Sequence, residues 1–201
     1  MKYHHGNLKK VLLKCACETC ETEGAEALSL RGLAKKANVS QTAPYRHFAT
    51  KQELLACIAE EGFKNLNKQL TKILNDSYSS ERDRHIAAGR AYIDFGLNNL
   101  NTYNLMFSDS IRDFSMFAGL HVASEDCFQT LKKIIKRVFN LPDEEAELKG
   151  MQLWSMGHGL VMILNKRKKA PTQARTQDST ALKLMDKVSA NLDKFLEKFL
   201  D

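Results

Sequence analysis

SLRGLAKKANVSQTAPYRHFATKQELL, residues 29–55, packs three helix-start signals into one short span. Ser29 and Ser40 are good N-caps, and Thr50 followed three residues later by Glu53 is a capping box. Helix 2 therefore runs over 30–37 and turns Leu30, Leu33, Ala34 and Ala37 inward. Asn38, a residue that tolerates the left-handed conformation, makes the turn, and Val39 plugs it. A helix opened by Ser40 must end before Thr50, so it has at most about two turns. It carries Gln41, Thr42, Tyr45, Arg46 and His47, nearly all of them hydrogen-bonding side chains, with Pro44 near the end of its first turn. A helix too short to bury much and rich in donors is built to touch something outside the protein. Two short helices with a tight turn, braced by a longer first helix, make a helix-turn-helix whose second member enters the DNA major groove.

Outward from this stretch the pattern stays helical. The 201 residues are 43% hydrophobic, with only 3 Pro and 10 Gly, and their apolar positions recur every three or four residues without sustained alternation. The expected class is all-α. Helix 1 covers 7–23 and stops at Gly24. A long helix 4 runs from 50 to about 74, followed by a polar loop at 75–80. Further helices are expected at 82–98, 102–108, 112–139, 143–165 and 179–200, with a linker at 165–178 that is basic at Lys166–Lys169. The expected domains are 1–51, binding DNA, and 52–201, for regulation and dimerisation.

The formal charge of +6 is unevenly placed. Residues 1–51 hold nine Lys and Arg against four Glu, so nearly all of the excess sits on one quarter of the chain. Concentrated positive charge is the footprint of a polyanion partner. No membrane span and no secretory h-region stand in the sequence, which places the protein in the cytoplasm. Five cysteines fit reduced thiols. Cys15, Cys17 and Cys20 invite a metal reading, but on a helix Cys15 turns away from the other two, so they read as packing. No metal or cofactor is expected. No Ser/His/Asp set, HExxH or glycine-rich phosphate loop is present, and an enzyme is not expected.

The stretch at 29–55 resembles the DNA-binding domain of TetR-family transcriptional regulators: a small residue before Val39-Ser40, Tyr45-x-His47-Phe48 closing the short helix, and Lys51 opening the next. The likeness covers roughly residues 7–60, with Asn38 where the family usually has Gly. It implies base contacts from Gln41 and Thr42. Phosphate contacts are implied for Tyr45, His47 and Lys51, either kind of contact for Arg31, and added charge from Arg46. Ser40 and Ala43 complete this DNA-facing set. Phe48 is expected to hold the short helix on helix 1. The arm Tyr3-His4-His5 leaves two readings open: contact with the minor groove or DNA backbone, or a cap region for helix 1 with Asn7 as its cap.

Further on, Trp154-x-x-x-His158-Gly159 is similar to a TetR subgroup named for its Trp-His-Gly pattern. The resemblance implies a dimer built on the last two helices, and Leu182, Met185, Val188, Leu192, Phe195, Leu196 and Phe199 form the apolar stripe such a bundle needs. Trp154 and His158 join that expected interface. An effector pocket is expected among Tyr92, Phe95, Tyr103, Met106, Phe107, Phe114, Phe117, Met151 and Trp154, with His121 and His158 as its polar members. The expected whole is a homodimeric repressor of a palindromic double-stranded operator, released when a small-molecule effector tilts helix 4. The alternative is a relative that binds DNA without any effector.

Overall fold

The computed structural model describes residues 5–111, 113–169 and 180–200. Every regular element among the described residues is helical, as the apolar spacing requires. The α-helices are α1 (His5–Glu23), α2 (Leu30–Lys36), α3 (Lys51–Asn75), α4 (Glu81–Asn98), α5 (Leu100–Met106), α6 (Ala118–Phe139), α7 (Asp143–Lys169), α8 (Thr180–Ala190) and α9 (Leu192–Glu197). Single 3-10 turns stand at Ala25–Ala27, Pro44–Arg46 and Phe114–Met116. The chain divides into two compact units, Met1–Asn65 with Asn99–Glu125, and Leu66–Asn98 with Asp126–Asp201. Residues 52–65 and 99–125 belong to the same compact unit as the helix-turn-helix.

In the first unit, Leu12, Ala16 and Cys20 of α1, Leu30, Leu33 and Ala34 of α2, Phe48, and Leu54 and Ile58 of α3 are buried together. Gly24, at φ 88, ends α1 in a conformation that costs an L side chain steric strain. Glu21 ties α1 to the start of α5. Its carboxylate accepts the backbone N–H groups of Asn101 at 3.2 Å and Thr102 at 3.0 Å, while the Asn101 amide donates to its carbonyl at 2.8 Å. These are N–H groups at a helix start, where a carboxylate also meets the positive end of the helix dipole. Glu21→Ala removes both acceptors and is expected to cost about 1–2 kcal/mol, read as a lower urea midpoint with an unchanged slope.

In the second unit, Arg84 is 1% exposed. Its guanidinium donates to the carbonyls of Ile73 and of Leu74, the latter at 3.0 Å, pairs with Glu81 at 2.9 Å and lies over the Tyr78 ring at 4.9 Å. Arg84 is therefore the C-terminal cap of α3, since the last carbonyls of a helix have no partner within it. Leu66 and Leu70 of α3, Ile93 and Phe95 of α4, Ile134 and Ile135 of α6, and Leu160, Val161 and Leu164 of α7 form the core with Leu192 and Leu196.

Several expected boundaries move. α1 begins at His5, ahead of Asn7, so Asn7 is not its cap. The helix expected from 112 begins at Ala118, because Asp113 accepts the Ser115 N–H at 2.8 Å and sets a 3-10 turn before it. The expected linker at 165–178 is helical through Lys169, and its residues 170–178 lie outside those described. The single helix expected at 179–200 breaks at Asn191, whose backbone leaves the helical region at φ −129 and ψ 38 while its amide donates to the Lys187 carbonyl.

Candidate nucleic-acid interface

The segment from Ser29 to Lys51 is fixed by local chemistry. Ser29 Oγ accepts the Gly32 N–H at 3.0 Å and starts α2. Asn38 sits at φ 54, and the Val39 N–H returns to the Ala34 carbonyl at 3.0 Å, closing α2 with a left-handed turn. The next element is not the α-helix expected from Ser40. Pro44 has no N–H to give the Ser40 carbonyl, so that carbonyl takes the Ala43 N–H at 3.0 Å instead, and the backbone tightens into turns and a 3-10 segment at Pro44–Arg46. Pro44 and Phe48 are buried beneath it, Phe48 completely. The Ser40 hydroxyl pairs with that of Thr42 at 3.3 Å and is not in contact with a helix N–H. Thr50 then caps α3, accepting the Glu53 N–H at 3.1 Å, and Glu53 reaches back to the Ala49 N–H at 2.7 Å, one residue earlier than the usual box.

On this support Arg31, Ser40, Gln41, Thr42, Tyr45 and Arg46 are exposed, while Ala43, His47 and Lys51 are half-buried. All nine residues expected at DNA stand on α2, on the turn after it or at the head of α3. Tyr45 is 49% exposed, so Pro44 and Phe48 hold the element down and the tyrosine faces outward. The Lys51 ammonium donates to the Glu26 carbonyl at 3.2 Å, which fixes where its remaining N–H groups point. Not every base of this region faces outward. Lys36 donates to Thr19 at 3.2 Å and pairs with Glu23, so it straps α2 to α1. Lys9 lies 5.9 Å above the Phe48 ring. Tyr3 and His4 lie outside the described residues, and of His5 only the backbone is described.

All five cysteines are free thiols. Burial, with Glu61 next in weight, pushes the Cys17 thiol up to about 12, and burial with Glu21 pushes Cys20 up to about 11. Burial alone takes Cys127 to about 12. Thiols held protonated react slowly, so under native conditions at pH 8 alkylation is expected to spare Cys17, Cys20 and Cys127, with mass mapping as the check. Among the described residues no group of three or more His, Cys, Asp or Glu is placed to hold a metal ion.

The second unit contains a cavity of about 60 Å³. α4 gives it His85, Ala88, Gly89, Tyr92 and Ile93, and α6 gives Leu131, Ile134, Ile135 and Val138. α7 adds Leu153, Trp154, Gly157 and Leu160, and Leu196 and Phe199 close the wall. Of the expected pocket residues, Tyr92 and Trp154 line it. Phe95 is buried in the same unit, and His158 stacks obliquely with Trp154 at 6.1 Å, its imidazole held below the usual value by desolvation. Tyr103, Met106, Phe107, Phe117 and His121 belong to the first unit, where Tyr103 and Phe107 meet edge to face and His121 is exposed.

α7 is apolar on two sides. Ala146, Gly150, Gly157, Leu160, Val161 and Leu164 face the unit's own core. Leu148, Met151, Met156, Met162 and Ile163 share the opposite face and are 40–65% exposed. Gly157 packs on Tyr92 closely enough that a Cβ there would stand 3.3 Å from the ring, whereas Gly159 has nothing within 4 Å. Of the expected interface residues, Leu192 is 6% exposed and belongs to the core, and Phe195 rests on Phe199 at 5.0 Å. Leu182, Met185, Phe195, Phe199, Trp154 and His158 are half-buried, and Leu184 is 60% exposed. The outer face of α7 escaped the sequence reading because its methionines and isoleucine look no different there from core residues.

Residues 12–58 match the family profile described as bacterial regulatory proteins, tetR family, and residues 85–186 match the tetracyclin repressor-like C-terminal domain. The chain is 28% identical over 138 residues to the HTH-type transcriptional activator FasR of Mycolicibacterium smegmatis, a match that covers 68% of this chain. It spans 63% of that relative's length. A solved Rhodococcus sp. RHA1 protein with unknown function superposes with a TM-score of 0.75 at 26% identity, over 98% of this chain and 97% of its own. The TetR-family regulator PfmR of Thermus thermophilus shares the fold at 20% identity, with a TM-score of 0.62 over 94% of this chain and 98% of its own. The exposed row after a left-handed turn, the apolar two-faced α7 and these matches agree: the chain belongs to the TetR family of DNA-binding transcriptional regulators.

Proposed function

We propose that this protein acts in the cytoplasm as a homodimeric repressor that leaves a palindromic operator when a small molecule occupies the cavity of its second unit. The observation that carries the DNA side is the exposed row Gln41, Thr42, Tyr45 and Arg46 above a fully buried Phe48. Gln41 and Thr42 read base edges, and Tyr45, His47 and Lys51 hold phosphates, with Arg31 and Arg46 supplying charge. The outer face of α7 supports the dimer, since so many exposed apolar side chains on one helix face mark a contact surface. Of the Trp154-x-x-x-His158-Gly159 pattern, Trp154 lines the cavity and Gly159 has nothing within 4 Å. No described helix is long and apolar enough to cross a membrane, and the partner assigned here is DNA.

The effector side rests on two neighbours in sequence. His85 lines the cavity, and Arg84 grips the last carbonyls of α3, the helix that starts at Lys51. An occupant that shifts α4 therefore pulls the end of α3, and a ligand with unequal affinity for the two positions shifts their populations. Such coupling is reciprocal: operator weakens ligand binding by the factor with which ligand weakens operator binding. The relative FasR is named an activator, which favours a second reading in which the same dimer recruits transcription. A reporter fused to the selected operator separates them, since deletion of the regulator raises expression in the first case and lowers it in the second.

The test starts with selection of bound duplex from a random pool. Binding is expected to be specific and to weaken steeply with salt, because cations displace counterions from DNA. Gln41→Ala or Thr42→Ala is expected to relax base preference. Lys51→Ala or Tyr45→Phe is expected to weaken all sequences alike, with Lys51→Ala also flattening the salt slope by about 1 per subunit. Selection of no duplex, or equal behaviour of the two groups of variants, overturns the assignment.

A further inference from the structure

The chemistry of the cavity wall points to the class of molecule it takes, an inference that rests on the effector reading. The wall is almost wholly hydrocarbon, and His85, 7% exposed, brings an imidazole to it. Its Nε2 lies 3.1 Å from the Leu196 carbonyl. A carbonyl only accepts, so Nε2 carries the proton and Nδ1 is left with a lone pair. Among the described residues no group donates to Nδ1, whereas Tyr92 and Trp154, the other polar side chains of the wall, each already engage other protein groups. Phe139 meets the His85 ring edge to face at 5.6 Å, adding no donor.

We propose that the cavity binds an uncharged, mainly hydrocarbon molecule carrying one hydroxyl or N–H group, which donates to Nδ1 of His85. Burial holds the imidazole below its ordinary value, so the lone pair is present near neutral pH. A carboxylate is disfavoured twice. It would lose its hydration against a hydrocarbon wall, and it has no proton to offer Nδ1. A ketone of equal size offers Nδ1 no proton, and a site that hydrogen-bonds a ligand's hydroxyl or N–H discriminates against the analogue lacking it. The size follows from the volume. At about 10–15 Å³ per water position, 60 Å³ corresponds to roughly four to six waters, which is the bulk of a single six-membered ring.

The probes are therefore cyclohexanol, cyclohexanone and cyclohexanecarboxylate. Trp154 is the one tryptophan of the chain and lines the cavity, so its emission reports occupancy without a label. The full-length protein is expected to bind cyclohexanol saturably, cyclohexanone about tenfold more weakly and the carboxylate more weakly still. His85→Phe is expected to equalise alcohol and ketone. In case that variant does not fold, the ¹⁵N resonance of Nδ1 in the unaltered protein gives the same answer, moving from its lone-pair position when the alcohol is added and staying in place with the ketone. Equal affinities, no saturable response to the alcohol, or an unmoved Nδ1 overturns the proposal. Operator release is measured beside it. Release by alcohol and ketone at equal potency keeps the effector reading and removes the donor requirement, whereas a tenfold alcohol preference without release keeps the donor requirement and removes the effector reading.

Discussion

Arg84→Ala is expected to destabilise the protein by about 3 kcal/mol or more, because it strips the donors from two carbonyls at the end of α3, one of them buried, and each costs about 1–3 kcal/mol when left unmet. In a chain of this size that corresponds to a fall in Tm of roughly 6–12 °C. Glu81 does not share the loss, since it is partly exposed and also pairs with Arg137 at 2.9 Å. Arg84→Lys keeps a charge but not the planar fork that serves both carbonyls and Glu81 at once, and an intermediate loss is expected. Calorimetry of the two variants is the measurement. A melting point unchanged in Arg84→Ala would mean that the end of α3 is satisfied by water and that Arg84 is not its cap.

The second large effect concerns assembly. Met156 and Ile163 are 44% and 47% exposed in the subunit, so a charge at either is compatible with the fold. Met156→Asp with Ile163→Asp is expected to give a folded monomer by light scattering with unaltered helical content. Its operator affinity should fall by a hundredfold or more, toward the range of non-specific binding, since one half of the dimer can neither span two half-sites nor supply both sets of phosphate contacts. Leu192→Asp is a poor substitute, because Leu192 lies in the core and its loss would report on folding instead. A double variant that remains dimeric and binds operator normally removes the outer face of α7 from the interface.

The helix-turn-helix was legible because its determinants are local. Ser29, Asn38 and the pair Thr50 and Glu53 each act on backbone groups within five residues, and sequence places those groups directly. The same locality misled at Pro44. A missing N–H near the end of a helix's first turn removes at most one backbone bond, yet in so short a segment it is enough to turn the element into a 3-10 turn. What was illegible is non-local. Glu21 meets Asn101 and Thr102 eighty positions away, and nothing in the spacing of either segment announces the other. His85 and Trp154 became neighbours on one wall only through the packing of α4, α6 and α7, so an aromatic inventory of the chain could not separate the cavity's residues from those of the first unit. Helix periodicity also fails for α7. A helix apolar on two faces has no single stripe to read, and its outer side chains look like core until the subunit's own core has been filled without them.

In the proposed dimer, the double-faced α7 makes stability a matter of mass action. A surface whose burial requires a second copy contributes to folding only in proportion to the copies present, so the apparent melting temperature is expected to climb as protein concentration rises. In a cell the same relation sets a floor on abundance. Newly made chains at low copy number spend longer with Met151, Met162 and Ile163 in water, open to proteolysis and aggregation, and a gene that makes a little more of this regulator gains more than proportionately in surviving dimer.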